Sequence, residues 1–476
     1  MSNIQNMPVY RAIVEYAGKQ PTPFHTPGHK LGKGLPEGPF RDMGFFDLTE
    51  IPGTDNLHFP EGAIQEAQVL AADAFGAEES FFLVNGSTVG VHAMIMGVCG
   101  PGDKLIVSRD CHKSVINGLI LAGAIPVYIR TGFNREFGIS TGTLVSEVQK
   151  ALDENPDAAG VLITRPNYYG LCCDIEELVR VVHARGKILA VDEAHGAHLR
   201  FGDHLPLCAM DAGADICVQS AHKTLPAFTQ GAYLHIKGSR IDREKIRFYL
   251  RVLQTSSPSY ILMASLDMAR EIMQSRGYGL LGQLRHSIGK FRDKAGSIKG
   301  IRILGEEHVK ESKLDTTRLV VSVKNLGITG FDMEKTLRER YNIQVEMADL
   351  YNIVCIGTVA DDEKDFELLE RALREMTDRV VNPLPPLTDI YVRELTIPPQ
   401  GIDMKQMAGR KTKKTVLREA EGRTSSVVVT PYPPGIPVIC PGEIIMADSI
   451  EYIYNIVKAG GTVNGLSDQM EISVLE

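Results

Sequence analysis

The stretch ILAVDEAH at 188–195, followed by ICVQSAHKT at 216–224, decides how this chain folds. Each begins as a short apolar run and places a charged side chain just where the run ends, Asp192 in the first and Lys223 beyond the second. Runs of this length, bounded by polar turns, read as buried parallel strands, and the pattern recurs at 104–108 and 161–164. The segment from Asp174 to Gly186 reads as a helix. Asp174 is its N-cap, Glu177 lies three residues on, Ile175, Leu178, Val179 and Val182 form one stripe, and Gly186 ends it. A βαβα alternation predicts an α/β fold with a mainly parallel sheet covered by helices. Ligands in such sheets bind beyond the carboxyl ends of the strands, where Asp192 and Lys223 stand.

Working outward, 476 residues are too many for one ordinary core. The pattern divides into an N-terminal arm at 1–60, rich in Pro, Gly and His, and a large domain at 61–295. A smaller α+β segment follows at 296–381, read from a segment around 317–323, a helix at 332–340, a strand at 344–347 and a helix at 364–378. A linker and C-terminal region fill 382–476, with a proline-rich stretch at 382–386. Hydrophobic residues make up 43% and charged residues 23%, as in globular proteins, and the net charge of −8 argues against a nucleic-acid binder. The basic cluster at 410–414 reads as a solvated face. No apolar run is long enough to span a bilayer, and the N-terminus has no secretory signal pattern, so a cytoplasmic protein is expected. The eight cysteines include no C-x-x-C pair and read as buried free thiols. No metal site is expected, since neither H-E-x-x-H nor paired cysteines occur.

A lysine and a buried acid at neighbouring strand ends are the two groups that pyridoxal phosphate (PLP) asks of a protein. The lysine amine condenses with the cofactor aldehyde, and the carboxylate keeps the pyridine nitrogen protonated. Each also has a structural reading: Asp192 as half of a salt bridge, Lys223 as a snorkelling side chain. Asn85-Gly86-Ser87-Thr88 opens a helix and could offer N–H groups and hydroxyls to an anion, or could be an ordinary N-cap turn. His112, in Cys111-His112-Lys113-Ser114, could lie flat on a planar cofactor or be a helix-start histidine bonded locally.

Together these segments resemble the Orn/Lys/Arg decarboxylase family of PLP-dependent fold type I enzymes. The resemblance rests on FHTPGHK at 24–30, TDNLHFPEG at 54–62, NGST at 85–88, CHKS at 111–114, DEAHGAH at 192–198, SAHKT at 220–224 and PYPPGIPVICPGE at 431–443. It implies a PLP-dependent transferase-like large domain with a smaller C-terminal α+β domain. Lys223 would bond to the cofactor, Asp192 would pair with its ring nitrogen and His112 would stack on the ring. Ser87, Thr88, Ser220 and His222 would hold the phosphate, and His195 would lie close by. The reaction implied is loss of the α-carboxylate from a basic amino acid, with arginine favoured over lysine or ornithine and Asp55 or Glu443 as candidates to meet the distal cation. Transamination on the same scaffold and a catalytically silent regulatory homologue are the alternatives. The resemblance also implies a homodimer or dimer of dimers with active sites at the interface. Thr255-Ser256-Ser257 and the arm at 25–30 would then serve the neighbouring subunit. FHTPGHK starts at residue 24, which leaves no room for the N-terminal wing domain of the longer members and points to the short form associated with polyamine biosynthesis.

Overall fold

The computed structural model describes residues 4–378, 396–407, 409–432 and 435–476. The proline-rich stretch expected at 382–386 and two prolines of the 431–443 motif lie outside them. The chain forms two compact units, Met1–Val98 with Ile188–Leu281, and Cys99–Lys187 with Gly282–Glu476.

In the first unit the strands run in the order Glu79–Leu83, Ala232–Ile236, Ile216–Gln219, Ile188–Asp192. Ile188–Asp192 and Ile216–Gln219 are parallel, with Asp192 opposite Val218, so the two charged segments leave the sheet at the same end. The other two pairings are antiparallel. The helix Gly86–Val98 lies close against these strands because Gly90 has no side chain. A Cβ there would stand 2.6 Å from Leu83 Cδ1 and 3.0 Å from the Val218 methyls.

The N-terminal arm is more ordered than its composition suggests. Pro8–Gly18 is a helix with proline in its first turn and Val9 and Ile13 buried. It is tied down by charge: Asp267 Oδ2 accepts from the Val9 N–H (2.9 Å), and Arg270 donates to the Asn6 carbonyl. Arg270 also pairs with Asp267 (2.6 Å) and Glu271 (3.0 Å), all three side chains being buried. Burial outweighs the Arg270 charge and the N–H groups that meet it, and the Asp267 carboxyl is pushed up to about 6. The cost of keeping it ionised is therefore present above that pH and relieved as pH falls through it. Arg270→Met strands two buried carboxylates and should lower stability by about 3–5 kcal/mol, read as a shift of the chemical denaturation midpoint. A shift equivalent to less than about 1 kcal/mol, the surface-pair value, would show that the cluster carries no such weight.

In the second unit Gly160–Thr164, Lys104–Ser108 and Ile125–Ile129 form a wholly parallel set. The helix read from Asp174 runs Ile175–His183, and the Asp174 side chain accepts from the Glu177 N–H (3.1 Å). A four-stranded antiparallel sheet includes Arg318–Ser322 and Asn352–Ile356, accompanied by helices Gly330–Tyr341 and Glu363–Asp378. The strand expected at 344–347 shrinks to Met347–Ala348. Asn342 caps the preceding helix in the left-handed conformation, and the Ile343 N–H turns back to Leu337 O. A separate core around Leu417, Val429, Ile439, Ile453 and Ile472 organises the C-terminal part. The basic cluster is solvent-facing: residues 410–414 are exposed, on a strand Thr412–Val416 that pairs with Glu471–Leu475. All eight thiols are free and seven are buried.

No described helix is long and apolar enough to cross a membrane, and the described residues contain no group of three or more His, Cys, Asp or Glu able to hold a metal.

Candidate active site

The first unit gathers most of the expected residues at the strand ends. Asp192 is the last residue of its strand and is buried. Its Oδ1 accepts from the Ala194 N–H (3.2 Å), the one hydrogen bond to its carboxylate among the described residues. Burial raises its pKa, with the Lys223 charge and the Ala194 N–H pulling the other way and losing. His195, three residues on, is also buried, and its Nε2 lies 3.1 Å from Lys223 Nζ. Lys223 sits in the short helix Ala221–Thr224 that opens as soon as the Ile216–Gln219 strand ends.

Beside them stand the small hydroxyls. Ser220 is buried and donates through Oγ to Ser87 Oγ (2.8 Å), joining the Lys223 segment to the first turn of Gly86–Val98. Gly86 has φ +76°, which a glycine takes without strain and which turns the chain from strand into helix. Thr88 is exposed in the same turn. His222 is bonded through Nδ1 to the Gly231 carbonyl (3.1 Å).

Asp55 belongs to a different job in the same unit. Its carboxylate accepts from the backbone N–H groups of Asn56 (2.8 Å), Glu61 (3.0 Å), Gly62 (2.8 Å), Ile64 (2.9 Å) and Gln65 (3.2 Å), closing a loop onto the start of helix Ala63–Phe75. Partial burial pushes its pKa up, but the N–H groups prevail and hold it below the usual value.

The other two candidates are in the second unit. His112 caps helix Lys113–Ala122, its Nδ1 meeting the Ser114 N–H (3.2 Å) and hydroxyl (2.8 Å), so the local bonding of a helix-start histidine is present. Gly435 lies over it, since a Cβ there would come 3.9 Å from His112 Cδ2. Glu443 is fully buried and pairs with Arg109 (3.1 Å), whose guanidinium also donates to the Pro437 (2.7 Å) and Val438 (3.2 Å) carbonyls. Burial raises the Glu443 carboxyl despite Arg109. Its Oε1 has no hydrogen-bond partner among the described residues. Arg109 was not singled out in the sequence; an arginine directly after a buried strand and three residues before His112 was the available signal.

A buried carboxylate with acceptor capacity to spare, a lysine amine beside it, and hydroxyls at a helix start form the donor set that a phosphorylated pyridine aldehyde requires. The residues fit that group.

The sequence matches the Orn/Lys/Arg decarboxylase major domain over residues 7–322 and the C-terminal domain of the same family over 392–471. It is 40% identical to the arginine decarboxylase of Bacillus subtilis (strain 168) over 475 residues, covering 97% of this chain and 96% of that one. The fold superposes on the lysine decarboxylase LdcF of Francisella novicida with TM-score 0.83 at 21% identity, covering 99% of this chain and 81% of that one. A Nostoc sp. alanine–glyoxylate aminotransferase shares the fold more loosely, with TM-score 0.55 at 17% identity over 66% of this chain and 86% of that one. With both domains matched in order and relatives of this identity along nearly its full length, the chain belongs to the Orn/Lys/Arg decarboxylase family.

Proposed function

We propose that the protein is a PLP-dependent decarboxylase of a basic amino acid, arginine before lysine or ornithine. The observation that carries this is the Lys223–His195 contact of 3.1 Å beside the buried Asp192. The arginine decarboxylase name of the relative at 40% identity supports the choice of substrate.

Lys223 would hold the cofactor covalently, Asp192 would face its ring nitrogen and His112 its ring. Ser87, Thr88, Ser220 and His222 would hold the phosphate, aided by the N–H groups that open helix Gly86–Val98. When bound, PLP supplies an electron sink for the pair left behind as the α-carboxylate departs as carbon dioxide. The chain's own part is to place charge and protons. Asp192, shielded from water, would gain from a cationic N–H partner that offsets the cost of its burial, a pairing such a site rewards more than water does. His195 Nε2 is placed to exchange a proton with Lys223 Nζ. The Ser220–Ser87 bond fixes the Lys223 segment against the anion-binding helix start. For the distal cation, Glu443 keeps a free acceptor in Oε1, whereas the Asp55 oxygens already accept five N–H groups.

Large apolar side chains such as Phe24, Phe40, Phe45 and Phe46 stand exposed on the arm, and a second copy covering them is the reading in a homodimer or dimer of dimers. Free, mostly buried thiols suit a reducing compartment such as the cytoplasm. The amine product is a cation of the kind from which polyamines are built.

The test is to supply arginine, lysine and ornithine separately, without any keto acid, and measure carbon dioxide and amine. One carbon dioxide per amine, fastest with arginine, is expected. A requirement for keto acid would assign transamination instead, and no carbon dioxide from any of the three would overturn the reading.

A further inference from the structure

Glu193 follows Asp192 directly and has no solvent exposure. Its carboxylate is met by three donors, one at the start of helix Ala209–Ala212 and two on the strand Ile216–Gln219. Oε1 accepts from the Ala209 N–H (2.9 Å), and Oε2 accepts from Gln219 Nε2 (2.7 Å) and the Cys217 thiol (3.5 Å). Its backbone N–H continues the ladder to Val218 O (2.9 Å). Glu193 thus bonds across to the strand and to the residue that precede Ser220-Ala221-His222-Lys223.

The orientation of Gln219 shows which way the demand runs. Its amide nitrogen is turned to Glu193 while its Oε1 is left buried without a partner among the described residues. A buried acceptor left unmade is costly, so the amide is held by something stronger, and a charge-assisted bond to a carboxylate is stronger than a neutral one. The neighbouring Cys217 thiol is pushed well above its usual pKa by burial first and by the Glu193 charge next. The carboxylate is buried and reaches from the end of the Asp192 strand to the strand that precedes Lys223.

We propose that Glu193 is a positioning residue: its buried carboxylate spans the ends of the two strands and sets the placement of Lys223 relative to Asp192. This rests on the reading of Lys223 and Asp192 given above. It touches neither cofactor nor substrate in that reading and acts through Gln219.

The experiment compares three variants of the full-length holoenzyme: Glu193→Ala, Glu193→Gln, and the exchanged pair Glu193→Gln with Gln219→Glu. In the exchanged pair the amide at 193 still accepts from Ala209 and donates to a carboxylate at 219, so the span is rebuilt with its charge moved. The readouts are PLP dissociation constant, the pH midpoint of the cofactor absorbance, and kcat and KM measured separately. For Glu193→Ala, PLP affinity and kcat should each fall about tenfold or more, the loss of one charge-assisted bond. The absorbance midpoint should move and KM should change little. Glu193→Gln should fall between, and the exchanged pair should recover most of the affinity and return the midpoint toward the wild-type value. A merely structural glutamate would leave the midpoint in place. The proposal is overturned if Glu193→Ala, or Glu193→Gln should the alanine variant not fold, keeps the wild-type affinity and midpoint, or if the exchanged pair is no better than Glu193→Gln. Failure of the underlying reading looks different: wild-type protein would then show no borohydride-trappable adduct at Lys223 at all.

Discussion

Lys223→Ala is expected to lose turnover by about four to six orders of magnitude, the scale seen when a covalent catalytic group is removed. It should also lose the borohydride-trappable adduct. The size of the effect follows from placement. Lys223 Nζ is positioned by its own short helix and by the 3.1 Å contact with His195 Nε2. The cofactor should still bind, because the hydroxyls of Ser87 and Ser220 and the helix start at Gly86 are untouched. The variant would hold PLP, visible as bound free-aldehyde absorbance, while neither forming the adduct nor releasing carbon dioxide. Activity within about tenfold of wild type, a loss of only about 1.4 kcal/mol in transition-state stabilisation, would sink the assignment of Lys223.

Asp192→Asn carries the second large effect. The amide is nearly isosteric, so the fold should survive, but it presents N–H where a carboxylate presented only acceptors. Loss of one preorganised charge at a buried site costs about 10²–10³ in rate, and cofactor retention should weaken with it. The pH dependence gives a sharper test. Burial raises the Asp192 pKa in this structure, so as pH falls its negative charge is lost earlier than an ordinary carboxylate would lose it. PLP affinity should therefore fall on the acid side from above the usual carboxylate range, and in Asp192→Asn that limb should be gone. An affinity profile of unchanged shape in the variant would show that Asp192 does not hold the ring nitrogen.

The strand ends could be read from the sequence because a buried parallel strand is nearly all apolar and a charge at its end stands out. Asp192 and Lys223 were visible for that reason, and the parallel arrangement of their strands followed from the βαβ pattern; the register that brings 192 opposite 218 came only with the structure. Glu193 was hidden inside the same motif. Its importance lies in bonds to Ala209, Cys217 and Gln219, and nothing local in a sequence says which backbone N–H a side chain will reach. Asp55 shows the converse. A carboxylate in a Pro- and Gly-rich segment suggests a ligand contact, but a loop that folds back can direct five of its own N–H groups at it. The helix Pro8–Gly18 was missed because its stabilisation comes from Asp267 and Arg270, more than 250 residues away, and not from its own turn.

The Arg109 clasp changes how the end of the chain should be regarded. Arg109 stands three residues before His112, yet its partners are the Pro437 and Val438 carbonyls and the Glu443 carboxylate. Cutting the chain ahead of residue 437 would leave a guanidinium in the interior without its anion, next to the loop that presents His112. A truncation from the C-terminus would thus disturb the loop that carries His112, at a distance of more than three hundred residues in sequence.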